Sequence, residues 1–173
     1  MIELFLGGTR SGKSRLAEQC AVKSALEVVY IATATADDSQ MQTRISQHQH
    51  SRPDSWALIE EPLYLGATIE NLCAAADKPQ CLLVDCLTLW LSNCLFKQDL
   101  AFYQQQKAHL LQVLEKIPAT IIFVSNETNM GVIPMGEVSR EFCDQAGLLH
   151  QEIAALSHKV TLAVAGLAHV LKG

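Results

Sequence analysis

The chain opens on a strand-length apolar run, Ile2-Glu3-Leu4-Phe5-Leu6, that passes directly into Gly7-Gly8-Thr9-Arg10-Ser11-Gly12-Lys13-Ser14. These eight residues fit G-x-x-x-x-G-K-[ST], and residues 15–21 continue as a helix-forming run. Strand, glycine turn and helix in that order make an anion cradle. Glycines reach torsions closed to other residues, so successive N–H groups can face inward around a phosphate. The helix N-terminus adds a favourable dipole. Gly7, Gly8, Thr9, Arg10, Ser11, Gly12, Lys13 and Ser14 are therefore expected to bind a nucleotide. Lys13 is expected to reach the β- and γ-phosphates and Ser14 to hold Mg²⁺. A chance glycine turn before a helix is the bland alternative, but it has no need of a strand immediately before it.

The rest of the chain alternates in the same sense. Residues 28–32 are a second β-branched run, ending in the polar Thr33-Ala34-Thr35. Asp37-Asp38-Ser39 is placed to cap a helix over 40–49. Residues 56–60 read as a short extended piece, and Pro62 as the first turn of a helix to about residue 76. Residues 81–85 are an apolar run ending in Asp85. A helix is expected over 100–116, with Leu110, Leu111 and Leu114 on one face and Pro118 stopping it. Residues 120–124 read as a buried strand, 137–157 as a helix and 160–165 as the last strand. Continuous apolar strands separated by helices predict a mainly parallel sheet covered on both faces. The expected fold is a single three-layer α/β P-loop NTPase domain over 1–173.

Composition narrows the function classes. The 173 residues are 49% hydrophobic and 18% charged, which suits a globular core and argues against disorder. A net charge of −5 without a long basic run argues against nucleic acid as the partner. No apolar stretch reaches the ~18–20 residues of a membrane span, and Met1 leads straight into the first strand. Membrane insertion and a signal peptide are therefore not expected, and the cytoplasm is the expected compartment. Cys20, Cys73, Cys81, Cys86, Cys94 and Cys143 are dispersed without a C-x-x-C pair, so they are read as reduced thiols rather than zinc ligands.

In such a sheet, ligands sit at the carboxyl ends of the strands. Asp85 has the setting of a Walker B acid, four apolar residues and then a carboxylate able to hold Mg²⁺ through water. Its other reading is a cap for the following helix. Ser125-Asn126-Glu127 are equally a polar strand end or a substrate contact. His48 and His50 lie beside Arg44 and Arg52 in a segment with little to bury. Their spacing points them to different helix faces, with no third ligand evident for a metal. Solvated histidines or a nucleophilic imidazole remain the two readings.

The ordered blocks Gly7–Ser14, Tyr30-Ile31-Ala32-Thr33, Arg44-Ile45-x-x-His48-x-x-x-Arg52-Pro53-x-x-Trp56, Glu60-Glu61-Pro62, Leu83-Val84-Asp85-Cys86-Leu87-Thr88 and Ser125-Asn126-Glu127 resemble one family nearly end to end. It is the bifunctional adenosylcobinamide kinase / adenosylcobinamide-phosphate guanylyltransferase family of cobalamin biosynthesis. The phosphate loop is widespread, whereas the R-I-x-x-H-x-x-x-R-P-x-x-W block is specific.

The resemblance implies a RecA-like sheet, a propeller-like homotrimer and two reactions. ATP or GTP phosphorylates the aminopropanol hydroxyl of adenosylcobinamide. GMP then passes from GTP to adenosylcobinamide phosphate through a covalent histidine, whose position His48 occupies. The implied catalytic residues are His48 and Lys13. The implied nucleotide contacts add Ala32, Thr33, Ala34, Gln49, His50, Ser51, Arg52, Glu60 and Asp85 to the phosphate loop, with Ser14 and Asp85 on Mg²⁺. Arg52 is suited to bidentate contact with the α-phosphate, and Glu60 to a guanine edge or a solvated strand end.

The chain departs from the family pattern in its C-terminal third. Glu127-Thr128-Asn129-Met130-Gly131 replaces a sequence close to E-V-G-x-G, Cys143 replaces an arginine, and His150 stands where an asparagine is usual. These changes bear on the corrinoid side rather than the nucleotide side. Two other classes use the same loop. A simple small-molecule kinase would need Lys13 and Asp85 but not His48. A regulatory ATPase would bind a partner and have no acceptor.

Overall fold

Three apolar runs, 2–7, 80–85 and 120–126, are buried along nearly their whole length, and this decides which strands fill the middle of the sheet. The structure is a computed structural model that describes residues 1–35, 53 and 55–173. In chain order the elements are β1 (Ile2–Gly7), α1 (Lys13–Lys23), β2 (Glu27–Ala32), β3 (Ala57–Glu60), α2 (Leu65–Ala75), β4 (Gln80–Asp85), α3 (Leu87–Lys97), α4 (Leu100–Lys116), β5 (Thr120–Asn126), α5 (Glu137–Leu156), β6 (Lys159–Val164) and β7 (Leu167–Lys172). The helix expected over 40–49 lies outside the described residues.

The seven strands form one sheet in the order β3-β2-β4-β5-β1-β6-β7, parallel except for β7, which runs antiparallel to β6. The fold is α/β, as the alternation of apolar runs predicts. Register aligns Gly7 with Asn126, and Asp85 with Val124 and Ala32, so the ends of β1, β4, β5 and β2 share one edge.

The two faces are covered unequally by the described helices. On one face, Leu4, Ile31, Leu82, Val84, Ile121 and Phe123 pack against apolar side chains of α2, α3, α4 and α5. Trp90 anchors this layer, fully buried, its Nε1–H donating to Leu63 O at 2.8 Å. On the other face, Phe5, Tyr30, Leu83, Ile122 and Val124 pack against Ala17 and Ala21 of α1. Alanine at i and i+4 gives α1 a smooth stripe that lies close to the strands. That close seat fixes where the phosphate loop, which joins β1 to α1, can stand.

Two expectations are corrected. Pro62 does not open α2, which begins three residues later at Leu65. The Glu61 carboxylate organises this start instead, accepting N–H bonds from Leu63 (2.9 Å) and Tyr64 (2.7 Å) and the Thr68 hydroxyl (3.1 Å). Nor is the strand over 160–165 the last one. Ala165 (φ 53°) and Gly166 (φ 79°) turn the chain into β7. Two consecutive left-handed residues are what a two-residue hairpin requires, because that twist matches the flanking strands.

Candidate functional site

The phosphate loop is built from the end of β1 and held from three sides. Within it, Ser11 N–H donates to Gly8 O (3.1 Å), and Lys13 Nζ folds back onto Gly8 O (3.3 Å). Beside it, Glu127 N–H, just beyond β5, donates to Gly7 O (3.0 Å). From the far edge, Gly166 N–H donates to Ser11 O (2.8 Å), and Arg15 donates to Gly166 O (3.3 Å). Gly12 adopts φ +92°, and a Cβ there would stand 3.0 Å from Gly166 Cα. Both glycines are therefore set by the contact between the loop and the β6–β7 turn. Gly8, Thr9 and Arg10 are exposed at the mouth, and Ser11 is buried beneath them.

Lys13 and Asp85 form the electrostatic pair of the site. Partial burial pushes the Lys13 ammonium pKa down, and the carboxylate of Asp85 pulls it back up, followed by Cys86. The net effect leaves the Lys13 ammonium pKa below its ordinary range. Asp85 does not cap α3, whose N-cap position is Cys86, without a side-chain cap bond. Neither the Asp85 carboxylate nor the Ser14 hydroxyl hydrogen-bonds within the described residues. A hydroxyl and a free carboxylate beside a phosphate cradle are the hard oxygen donors that suit Mg²⁺.

Among the residues after β2, the side chain of Thr33 is fully buried and spent within the protein. Its hydroxyl donates to Cys86 O (2.7 Å) and accepts from Cys86 N–H (2.9 Å), while Asn93 Nδ2 donates to Thr33 O (2.8 Å). Ala32 and Ala34 flank it half-buried, and Glu60 is exposed at the end of β3, paired in register with Ala32. His48, Gln49, His50, Ser51 and Arg52 lie outside the described residues.

A polar chain that sequence reading did not assemble runs along the same edge. Asn126 N–H donates to Thr88 Oγ1 (2.6 Å), Thr88 Oγ1 meets Ser125 Oγ (3.1 Å), and Ser125 Oγ meets His150 Nε2 (2.7 Å). His150 Nδ1 then faces Glu127 Oε2 at 4.0 Å. Burial pushes the His150 pKa below 6.5, and Glu127 partly offsets this. The available signals were the position of Ser125-Asn126-Glu127 at a strand end and the odd residue at 150.

A family model described as cobinamide kinase / cobinamide phosphate guanyltransferase, CobU, matches residues 3–171. The chain belongs to the CobU family. Among its relatives, the bifunctional adenosylcobalamin biosynthesis protein CobP of Pseudomonas aeruginosa is 51% identical, covering 100% of this chain and 98% of the relative. The bifunctional adenosylcobalamin biosynthesis proteins CobU of Salmonella typhimurium and Escherichia coli are 34% and 32% identical, each covering 99% of this chain and 100% of the relative. The fold of this CobU family member extends beyond those relatives. It is shared with the RadB recombinase (TM-score 0.54, 16% identity, 93% of this chain and 73% of that one). A protein from Pyrococcus horikoshii OT3 also shares it (TM-score 0.57, 11% identity, 99% and 86% covered). The mainly parallel α/β fold expected from the alternation of strands and helices is therefore observed.

Proposed function

We propose that this chain phosphorylates the aminopropanol hydroxyl of adenosylcobinamide with ATP or GTP, and then transfers GMP from GTP to the new phosphate. The products are adenosylcobinamide-GDP and pyrophosphate. The observation that carries this reading is family membership over residues 3–171, in a chain whose phosphate loop stands at the carboxyl edge of the sheet.

In the kinase step, the loop N–H groups and Lys13 bind the β- and γ-phosphates, and positioning with charge neutralisation does most of the work. Ser14 and Asp85 are the residues suited to Mg²⁺, which when bound neutralises phosphate charge. In the second step His48 is the nucleophile. Its neutral imidazole nitrogen bonds to the α-phosphorus of GTP as the bond to the β-phosphate oxygen breaks, releasing pyrophosphate. A phosphate oxygen of adenosylcobinamide phosphate then attacks the same phosphorus, and the P–N bond breaks. Arg52 steadies the α-phosphate, Glu60 accepts from the guanine edge, and Ala32, Ala34, Gln49, His50 and Ser51 complete the nucleotide pocket, with the buried Thr33 fixing the end of β2 behind them. The reading includes a homotrimer at work in the cytoplasm. It fits a set of described helices among which none is long and apolar enough to cross a membrane.

Labelling with α-labelled GTP and Mg²⁺, followed by denaturation, tests the covalent route. Label that is lost in acid, survives alkali and is abolished by His48→Ala supports it. No label, with GTP binding intact, would restrict the chain to kinase chemistry.

A further inference from the structure

His150 is buried, and its Nδ1 has no hydrogen-bond partner. That nitrogen faces the Glu127 carboxylate at 4.0 Å, while Nε2 is engaged by Ser125 at 2.7 Å. Either tautomer satisfies the Ser125 contact, but only one places a proton opposite an acceptor. With the proton on Nδ1, Nε2 accepts from Ser125, and Ser125 accepts from Thr88. Glu127 itself is held by its backbone N–H on Gly7 O of the phosphate loop (3.0 Å), and its Oε1 accepts from Asn129 N–H (2.6 Å). Its side chain is 15% exposed. A carboxylate is thus fixed at the root of the phosphate loop, with an imidazole buried behind it.

We propose that Glu127 is the general base of the kinase step and that His150 is the residue that positions it. This inference rests on the kinase reading above. As the acceptor oxygen bonds to the γ-phosphorus, the bond from that phosphorus to the β-phosphate oxygen breaks and the nucleoside diphosphate leaves. The proton of the acceptor hydroxyl passes to Glu127 Oε2 and from there to solvent. The second reaction needs no such group, because its nucleophile is a phosphate oxygen already largely deprotonated near neutral pH, with a second pKa of about 6.

That asymmetry gives the test. Glu127→Gln keeps an oxygen for Asn129 N–H but cannot take a proton. Phosphorylation of adenosylcobinamide should fall in kcat by roughly 10²–10³-fold, in the range of a lost general base. Guanylylation of supplied adenosylcobinamide phosphate should persist, which also serves as the folding control. Equal loss of both reactions, or a kinase rate like that of the wild type, would overturn the assignment. No acceptor phosphorylation by the wild-type chain would overturn the function reading, and this inference with it.

His150→Asn tests the positioning role. Glu127 is the charged group facing His150. Thr88 of α3 and Ser125 of β5 present hydroxyls, and Lys107 of α4 is engaged by Glu152 (2.8 Å). His150→Asn removes the Nδ1–H that faces the carboxylate, so it should lower the kinase kcat with little change in KM for adenosylcobinamide and leave guanylylation in place. An unchanged kinase kcat, or equal loss of both reactions, would remove His150 from the mechanism.

Discussion

Thr33 and Cys86 bind each other twice, with the threonine hydroxyl donating to the Cys86 carbonyl at 2.7 Å and accepting the Cys86 N–H at 2.9 Å. One side chain therefore ties the end of β2 to the residue that follows Asp85. Thr33→Val keeps the shape and orphans the buried Cys86 N–H, while the Cys86 carbonyl keeps the Trp90 N–H (3.2 Å). The expected cost is about 1–3 kcal/mol for the one orphaned group. In a domain of this size that lowers Tm by roughly 2–12 °C, read by calorimetry. If Thr33 instead served chiefly as a nucleotide contact, Tm would hold and only GTP affinity would fall.

Gly166 lies outside the phosphate loop yet sets its shape. It has φ +79°, and a Cβ there would meet Arg15 Nη2 at 3.1 Å. Gly166→Val forces a β-branched side chain into left-handed torsions and pushes the turn off Ser11 and Gly12. GTP Kd should rise by about tenfold, equivalent to ~1.4 kcal/mol. Titration calorimetry checks this, and an unchanged Kd would show the loop to be self-supporting.

Asp85 opposes the downward push that burial exerts on the Lys13 pKa. Asp85→Asn removes that support and one oxygen suited to Mg²⁺. Both transfer reactions should fall by roughly 10²-fold or more at fixed Mg²⁺, in line with the loss of a transition-state charge partner. Partial recovery at high Mg²⁺ is expected if Asp85 acts on the metal. Flat dependence on Mg²⁺ concentration would place its role on Lys13 alone.

The folded His150 pKa lies below its ordinary value of 6.5, chiefly through burial. Between those two values the unfolded chain binds more protons, so stability rises with pH there and is lost as pH falls through 6.5 toward the folded pKa. The urea midpoint of the wild type should therefore drop between about pH 7 and about pH 5, and His150→Asn should flatten part of that slope. Parallel slopes in the two proteins would assign the acid sensitivity elsewhere.

Four thiols should be silent in the native protein. Burial pushes Cys81 up to about 11 and Cys20, Cys86 and Cys94 up to about 12. The thiolate is the reactive form, so a disulfide reagent near pH 8 should modify these four only on unfolding. Mass spectrometry of pulse-labelled protein identifies them. Rapid native labelling of Cys86 would contradict its burial beside Thr33.

What the sequence disclosed depended on how local each determinant is. The phosphate loop and the apolar strands are contiguous, so their letters carry their geometry, and the order of strand, loop and helix around Lys13 followed from them. The start of α2 was misassigned because proline at a first turn is a statistical habit, whereas the Glu61 carboxylate supplies the actual acceptors. β7 was missed because all six of its residues are exposed at the sheet edge, which erases the buried pattern a strand is recognised by. The contact between Ser125 and His150 joins residues 25 apart through the seating of α5, and no spacing rule reaches that far. The His48–Arg52 block, the most informative stretch for the family, lies outside the described residues.

The clasp between the β6–β7 turn and the phosphate loop imposes an order on biosynthesis. Arg15 and Gly166 are separated by 151 residues, and β1 has β5 and β6 as its two neighbours. At roughly 5–20 residues per second, the ribosome makes the loop and then takes about 8–30 s to deliver the turn that braces it. A nascent chain halted before Gly166 holds the nucleotide motif without its brace. A truncated translation product that lacks the late hairpin should accordingly hold GTP more weakly than the finished chain.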